Sequence, residues 1–197
     1  MNKVKKIIKL SIEDSIDQIK RQTPNNSLIW KDYKFVVNDD IEEADYWVVY
    51  SKGRRKVENC NVNKKNIFFI SGEPDSIYTY SKKFLKQFSL VIGVSRKFKH
   101  CKTLLSYPAV PWYVGISFFN NRKVNLSLNY NFFSKNNNKF KSNKISVISS
   151  NTSISKGHIK RINFVKELKL YFGDLIHIYG NGFNSFDDKW DVISSYK

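Results

Sequence analysis

Seven short apolar runs, rich in β-branched and aromatic residues, punctuate the chain at 4–12, 33–37, 46–50, 67–70, 90–94, 145–149 and 175–179. Most are flanked by polar or turn-forming residues, and each reads as a strand. Ile67-Phe68-Phe69-Ile70 and Leu90-Val91-Ile92 are apolar throughout rather than alternating. Such runs suit strands buried on both faces, as in a parallel sheet covered by helices. Helical patterns lie between them. Residues 14–22 carry Ile16 and Ile19 three apart, with Asp14 in position to cap. Residues 159–171 carry Ile162, Val165, Leu168 and, with Phe164, Tyr171 at a three-residue spacing that predicts one apolar side of a helix, and Gly173 then stops it. Strand, polar loop, helix and strand from 145 to 179 make a βαβ unit by pattern.

The stretch 118–143 differs. Asn120-Asn121, Asn129, Asn131 and Asn136-Asn137-Asn138 stand among scattered lysines, the composition of a mobile interdomain loop. Phe118-Phe119 and Phe132-Phe133 are placed to pin parts of it. The pattern therefore predicts one α/β domain over 1–117 and the start of a second over 144–197. One βαβ unit and a tail are too little for a complete nucleotide-binding domain. The chain ends at Ser194-Ser195-Tyr196-Lys197 with no closing element in view, so a truncated second domain is expected.

A hydrophobic fraction of 41% supports a packed core over disorder. The net charge of +17 invites a polyanion, but only six of the 34 basic residues are arginine, the residue that forks onto phosphate and guanine. Lys, Asn, Ile, Phe and Tyr are abundant together, as an AT-rich coding sequence would make them. A basic nucleic-acid-binding α/β protein is thus a competing reading without a motif behind it. Cys60 and Cys101 have no CxxC partner, and free thiols in a reducing compartment are the simplest reading, with a disulfide as the alternative. Lys9 and Glu13 interrupt the basic N-terminus, which is no signal peptide. No run approaches the ~18–20 apolar residues that span a bilayer. A cytoplasmic protein follows, whose basic surface suits peripheral contact with an anionic membrane. Asp39-Asp40 and Asp187-Asp188 are read as solvated pairs, and His100, His158 and His177 are too far apart to suggest a metal.

Three segments carry candidate chemistry. Ile70-Ser71-Gly72-Glu73-Pro74-Asp75 follows a buried-type strand, and carboxyl ends of parallel strands hold the sites of open α/β sheets. Glu73 there can be partly desolvated and act as a general base, or be a plain turn residue. Residues 149–161, with Asn151, Lys156 and Arg161, form a polar loop entering a helix, where free N–H groups favour phosphate. The spacing is not that of a P-loop, and a solvated basic face is the alternative. Tyr179-Gly180-Asn181-Gly182 ends a strand in a turn that permits a close ligand approach.

In order, the chain reads Glu43-Ala44-Asp45-Tyr46-Trp47-Val48-Val49-Tyr50, Phe69-Ile70-Ser71-Gly72-Glu73-Pro74, Phe88-Ser89-Leu90-Val91-Ile92-Gly93, Tyr107-Pro108 and Pro111-Trp112-Tyr113. Then follow Ser149-Ser150-Asn151, the stretch 161–168, Ile178-Tyr179-Gly180 and the stretch 189–197. This order resembles the α-1,3-fucosyltransferases, glycosyltransferase family 10, over most of the chain except the Asn-rich stretch. The resemblance implies two Rossmann-like domains facing a cleft, the GT-B architecture. It implies an acceptor glycan on the first domain, GDP-fucose on the second, and inverting transfer without metal or other cofactor. Glu73 matches the family's proposed base, and Arg161 matches an arginine on the donor diphosphate. Asn151, Lys156, Tyr179 and Gly180 fall beside it as donor-binding candidates. The family's most specific donor stretch, an acidic-Asn pair and a Thr-Glu-Lys motif, would follow Tyr196-Lys197. Its absence implies a chain inactive by itself, and a non-catalytic remnant is the alternative to a working enzyme.

Overall fold

The apolar runs become strands with nearly the expected limits. A computed structural model of the chain describes residues 6–13, 15–54, 56–98, 100, 102–107, 113–118, 124–125, 128–135 and 144–196. Two compact units divide it, Met1–Trp112 and Tyr113–Lys197. The first holds β1 (Lys6–Ser11), α1 (Ile16–Lys20), β2 (Ile29–Trp30), β3 (Tyr33–Val37), β4 (Tyr46–Tyr50), β5 (Ile67–Ile70), α2 (Lys82–Leu85), β6 (Leu90–Gly93) and β7 (Thr103–Leu105). The second holds β8 (Ser117–Phe118), β9 (Val124–Asn125), α3 (Tyr130–Lys135), β10 (Ile145–Ile148), α4 (Lys156–Phe172), β11 (Ile176–Tyr179) and α5 (Lys189–Ile193).

The first unit is a seven-stranded sheet in the order β2-β3-β1-β4-β5-β6-β7. Every pair is parallel except β2 with β3. The chain steps from β1 to one side, then returns to build outward on the other. This order, which changes direction between β1 and β4, is compatible with a Rossmann-like fold. The expected α/β class is therefore observed. Strands β2 and β7 were not foreseen, because runs of two and three residues show no period.

Phe69 of β5 is fully buried and centres the core of this unit. Its ring lies 4.7 Å from Tyr80, 5.3 Å from Phe84 and 5.2 Å from Phe88, with Leu85 and Val91 closing the cluster. Each such buried side chain contributes roughly 1.5–3 kcal/mol. Helix α2 has only four residues, but Ser81 caps it by accepting from the Phe84 N–H, and it delivers Leu85 to that core. Helix α1 begins after Ser15, whose hydroxyl accepts from the Asp17 N–H at 3.2 Å. Ser15, rather than Asp14, is thus the cap, and Asp14 lies outside the described residues.

The β4–β5 crossover carries no α-helix. Ion pairs fix it instead: Lys9 to Glu58 at 3.2 Å, Arg54 to Glu58 at 3.2 Å, Arg54 to Asp40 at 2.8 Å and Lys56 to Asp40 at 2.5 Å. Lys9, noted in the sequence only as an interruption of the basic N-terminus, is fully buried. Its ammonium also donates to the Asp39 carbonyl at 2.7 Å and lies 5.4 Å over the Trp47 ring.

In the second unit β10 and β11 pair in parallel, joined by α4, which gives the expected βαβ pattern. Helix α4 starts at Lys156, earlier than the periodicity indicated, because the Ser155 hydroxyl accepts from the His158 N–H. Gly173, at φ 53°, ends it. Val165 is buried and Ile162 and Leu168 half-buried, but Tyr171 is exposed and Phe172 turns inward. A strict three-residue spacing drifts about 60° per step around a helix, so the third step leaves the buried side.

The expected boundaries at 117 and 143 move. The Gly115 N–H donates to the buried Asp188 carboxylate at 2.9 Å, which ties 113–117 to the second unit. Within the stretch read as a loop, β8 and β9 form a short antiparallel pair. Helix α3 packs Phe132 and Phe133 on Trp190, 5.8 and 5.0 Å between centroids. Asn and Lys composition signals a loop, whereas these anchors are long-range. No helix among the described residues is long and apolar enough to cross a membrane.

Candidate functional site

Because the strands of the first sheet run parallel, their carboxyl ends share one edge. A serine stands there on five of them: Ser11 ends β1, Ser51 follows β4, Ser71 follows β5, Ser95 lies just beyond β6 and Ser106 follows β7. Ser11, Ser71 and Ser95 are buried. The Ser11 hydroxyl accepts from the Trp47 indole N–H at 2.9 Å. The Ser71 hydroxyl donates to the Glu73 carbonyl at 2.7 Å and folds the chain back over the edge. Gly72 makes room for this turn, since a Cβ there would stand 2.8 Å from the Ser51 Cβ and 3.1 Å from the Tyr50 ring.

Glu73 therefore sits at the carboxyl edge of β5, where the strand–Gly–Glu–Pro context put it. Its side chain is exposed, and among the described residues its carboxylate makes no ion pair or hydrogen bond. The partial desolvation expected of it is not built by its surroundings. The turn continues through Pro74, whose carbonyl accepts from the Ile77 and Tyr78 N–H groups, into a cavity of about 430 Å³. Asp75, Tyr78, Tyr80, Lys82, Ser95 and Lys97 line it. The Ser95 hydroxyl donates to the Asp75 carboxylate. Burial pushes the Tyr80 phenol above its ordinary value, against the opposing pull of Ser51 and Ser71. A second cavity, about 350 Å³, lies under the β4–β5 crossover against Trp47, Val49, Phe84 and Phe88, with Lys52 and Lys56 among its lining.

The second unit brings most of the remaining candidates to one end of its βαβ unit. The Ser149 N–H donates to the Tyr179 carbonyl, and the Asn151 N–H to the Asn181 carbonyl at 2.9 Å. Gly180, at φ 122°, crosses so close that a Cβ would meet the Ser149 carbonyl oxygen at 1.8 Å. Gly182 passes the Asn151 side chain in the same way. Lys156 is the first residue of α4, and Arg161, one turn on, donates to the Ser150 carbonyl at 3.3 Å. No other contact of its guanidinium beyond Ser150 occurs among the described residues. Asn151, Lys156, Arg161 and Gly180 thus gather where the N–H groups of the first turn of α4 lack helical partners. A cavity of about 500 Å³ borders the glycine turn after β11, lined by Tyr113, Gly180, Asn181, Gly182, Phe186 and Lys189, and Asn151, Lys156 and Arg161 are not among its lining.

Tyr179 is engaged elsewhere. Ile176 and Ile178 are buried on one face of β11, so His177 and Tyr179 point to the other. The Tyr179 hydroxyl lies 2.7 Å from that of Tyr196, which also meets His177 Nδ1 at 2.5 Å. Burial, followed by Tyr179, pushes the Tyr196 phenol up to about 12. His177 is structural, as its alternation indicated. Asp188 differs from its expected solvation: it is buried, and caps α5 through the Trp190 N–H at 2.7 Å. Asp40 is exposed yet ion-paired, and Lys56, then Arg54, hold its carboxyl below the usual range.

Cys60 is a free thiol raised above its ordinary value by burial, while Cys101, Pro108, Pro111 and Trp112 lie outside the described residues. Among the described residues no group of three or more His, Cys, Asp or Glu side chains is arranged to hold a metal ion. Sequence reasoning placed Ser150 in the candidate loop but missed its hydrogen bond to Arg161, and it missed the row of edge serines, although Ser51, Ser71 and Ser95 each stand at the end of a strand run. No protein-family model, curated protein or solved structure matches this chain.

Proposed function

We propose that the chain is a glycosyltransferase of GT-B type, similar to the α-1,3-fucosyltransferases, with the acceptor glycan on the first unit and GDP-fucose on the second. The observation that carries the reading is the meeting of Asn151, Lys156, Arg161 and Gly180. They come from two separated sequence segments and converge on the first turn of a 17-residue helix. Unpaired N–H groups, a helix dipole and a guanidinium with N–H groups to spare are what a diphosphate needs.

In this mechanism Glu73 takes the proton from an N-acetylglucosamine hydroxyl as that oxygen attacks the anomeric carbon of fucose. The bond to the GDP oxygen breaks on the opposite face, so the configuration inverts. Negative charge develops on the departing diphosphate. Arg161, Lys156 and the α4 amides stabilise it there more than in the ground state, which accelerates the step. The exposure of Glu73 fits a base that is desolvated only by the arriving acceptor.

GDP titration followed by backbone amide NMR tests the donor assignment. Shifts at 155–158 and 180–182 that disappear in Arg161→Ala are expected. Saturating GDP with no shift at these amides would sink the reading. The competing nucleic-acid reading rests on charge and on aromatics such as Tyr46, Trp47, Trp112 and Tyr113, without a motif, and predicts polynucleotide affinity that falls steeply with salt.

A further inference from the structure

The cavity beside Glu73 has a composition that the donor chemistry does not use. Tyr78 is partly exposed at its wall, packed edge-on against Tyr80 at 4.8 Å. Its ring presents an apolar surface on which the C–H face of a pyranose can lie. The Thr79 and Ser81 hydroxyls and the Asp75 carboxylate, already oriented by Ser95, supply the polar groups that sugar hydroxyls need. At about 430 Å³ the space suits one or two sugar rings.

Charge then narrows the class. Lys82 and Lys97 both line the cavity, and among the described residues neither is ion-paired. Lys52 lines the other cavity, with its ammonium 5.2 Å from the Tyr78 ring centroid. Against the two lysines of this cavity stand Asp75 within it and Glu73 on the turn leading to it. Asp75 is committed to Ser95, and Glu73 is required as the base. A neutral sugar would leave the lysines without a role.

We infer that this cavity binds an anionic saccharide, one bearing a carboxylate or a sulfate or phosphate group, with the sugar face on Tyr78 and the anion between Lys82 and Lys97. The inference rests on the acceptor assignment and adds a specificity to it.

The test is calorimetric titration of the whole chain with three probes: N-acetyllactosamine, its 6-sulfate, and glucuronyl-N-acetylglucosamine. Either or both acidic probes should bind about tenfold more tightly than the neutral one at low ionic strength, and the gap should narrow with salt. A preference for one acidic probe separates carboxylate from sulfate recognition. Lys82→Gln with Lys97→Gln should abolish the preference, and Tyr78→Ala should weaken all three probes. Lys64→Gln with Lys65→Gln removes equal charge at the opposite, amino end of β5 and should leave the preference intact. Equal affinities, no saccharide binding at all, or loss of preference in the Lys64/Lys65 control would each overturn the inference. GDP binding is read separately: acidic-sugar binding without GDP binding upholds this site and sinks the transferase reading, and the reverse result does the opposite.

Discussion

Lys9 and Glu58 form an ion pair of 3.2 Å in which both side chains are nearly inaccessible, at 1% and 7% exposure. The pair connects the central strand β1 to a crossover that has no helix of its own. Removing one partner would leave the other charge buried and uncompensated, which costs about 3–5 kcal/mol. Glu58→Ala is therefore expected to destabilise the first unit by that amount in urea unfolding. Lys9→Met combined with Glu58→Leu should recover most of the loss, because neither fully buried charge then remains and Arg54 keeps Asp40 as its partner. Equal instability of the single and double variants would mean that the pair is not the source.

Gly180 and Ser149 give a sharper case in the second unit. A methyl group at 180 would overlap the Ser149 carbonyl oxygen, and the backbone at φ 122° is strained for any L side chain. Gly180→Ala should cost at least about 2 kcal/mol and separate the ends of β10 and β11. Hydrogen exchange should speed at the Ser149 and Asn151 amides, which bond across that junction, while β4 and β5 keep their protection.

These two sites mark what the sequence did and did not disclose. Strand runs such as Ile67-Phe68-Phe69-Ile70 were legible because a continuous apolar run and its flanks are local. So were the placement of Glu73 after β5 and the glycine turn after β11. Lys9 was not legible: its burial depends on Glu58 and the Asp39 carbonyl, brought to it by the fold. Asp188 was misread for the same reason, since the Gly115 amide that it accepts lies far away in the chain. Tyr179 looked like a donor contact by position, but the alternation of β11 turns it toward Tyr196. Composition hid the helix at Tyr130–Lys135, but Phe132 and Phe133 do pin that stretch, as expected, with Trp190 as their anchor.

Tyr196 makes the second unit sensitive to alkali. Its phenol holds its proton to about 12 when folded, against 10.0 for the free group. Below 10 both states are protonated and the stabilisation is whole. Between 10 and 12 the unfolded chain ionises first, so stability falls as pH rises through that window. Unfolding midpoints measured from pH 8 to 12 should decline above 10 in the native chain. Tyr196→Phe should flatten the decline while lowering stability at pH 8, because Tyr179 and His177 lose their partner. An unchanged slope in that variant would assign the alkaline loss to other groups.

Glu73 and Arg161 are assigned different steps, and kinetics can separate them. A general base acts on the acceptor hydroxyl in the transition state and contributes about 10²–10⁴-fold to rate. Glu73→Gln keeps the size of the side chain and removes only its basicity, so turnover, where a complete donor site supports it, should fall by that factor while GDP binding is spared. The exposure of Glu73 argues that its fold stability is also spared, since no buried partner is lost. Arg161 already binds the diphosphate in the ground state, beyond what it adds as charge develops, so its loss also shows in GDP affinity. Charge-assisted hydrogen bonds are worth about 1.5–3 kcal/mol, so Arg161→Ala should weaken GDP about tenfold to a hundredfold. Its only contact among the described residues, to Ser150, is a long one of 3.3 Å, and α4 is otherwise held by Val165. The helix should therefore survive the substitution, and circular dichroism can check that it does. Calorimetry with GDP on both variants, beside acceptor-dependent GDP release from GDP-fucose, gives the comparison. If Glu73→Gln weakens GDP as much as Arg161→Ala does, the two residues do not divide acceptor and donor chemistry, and the assignment of a base to the β5 turn fails.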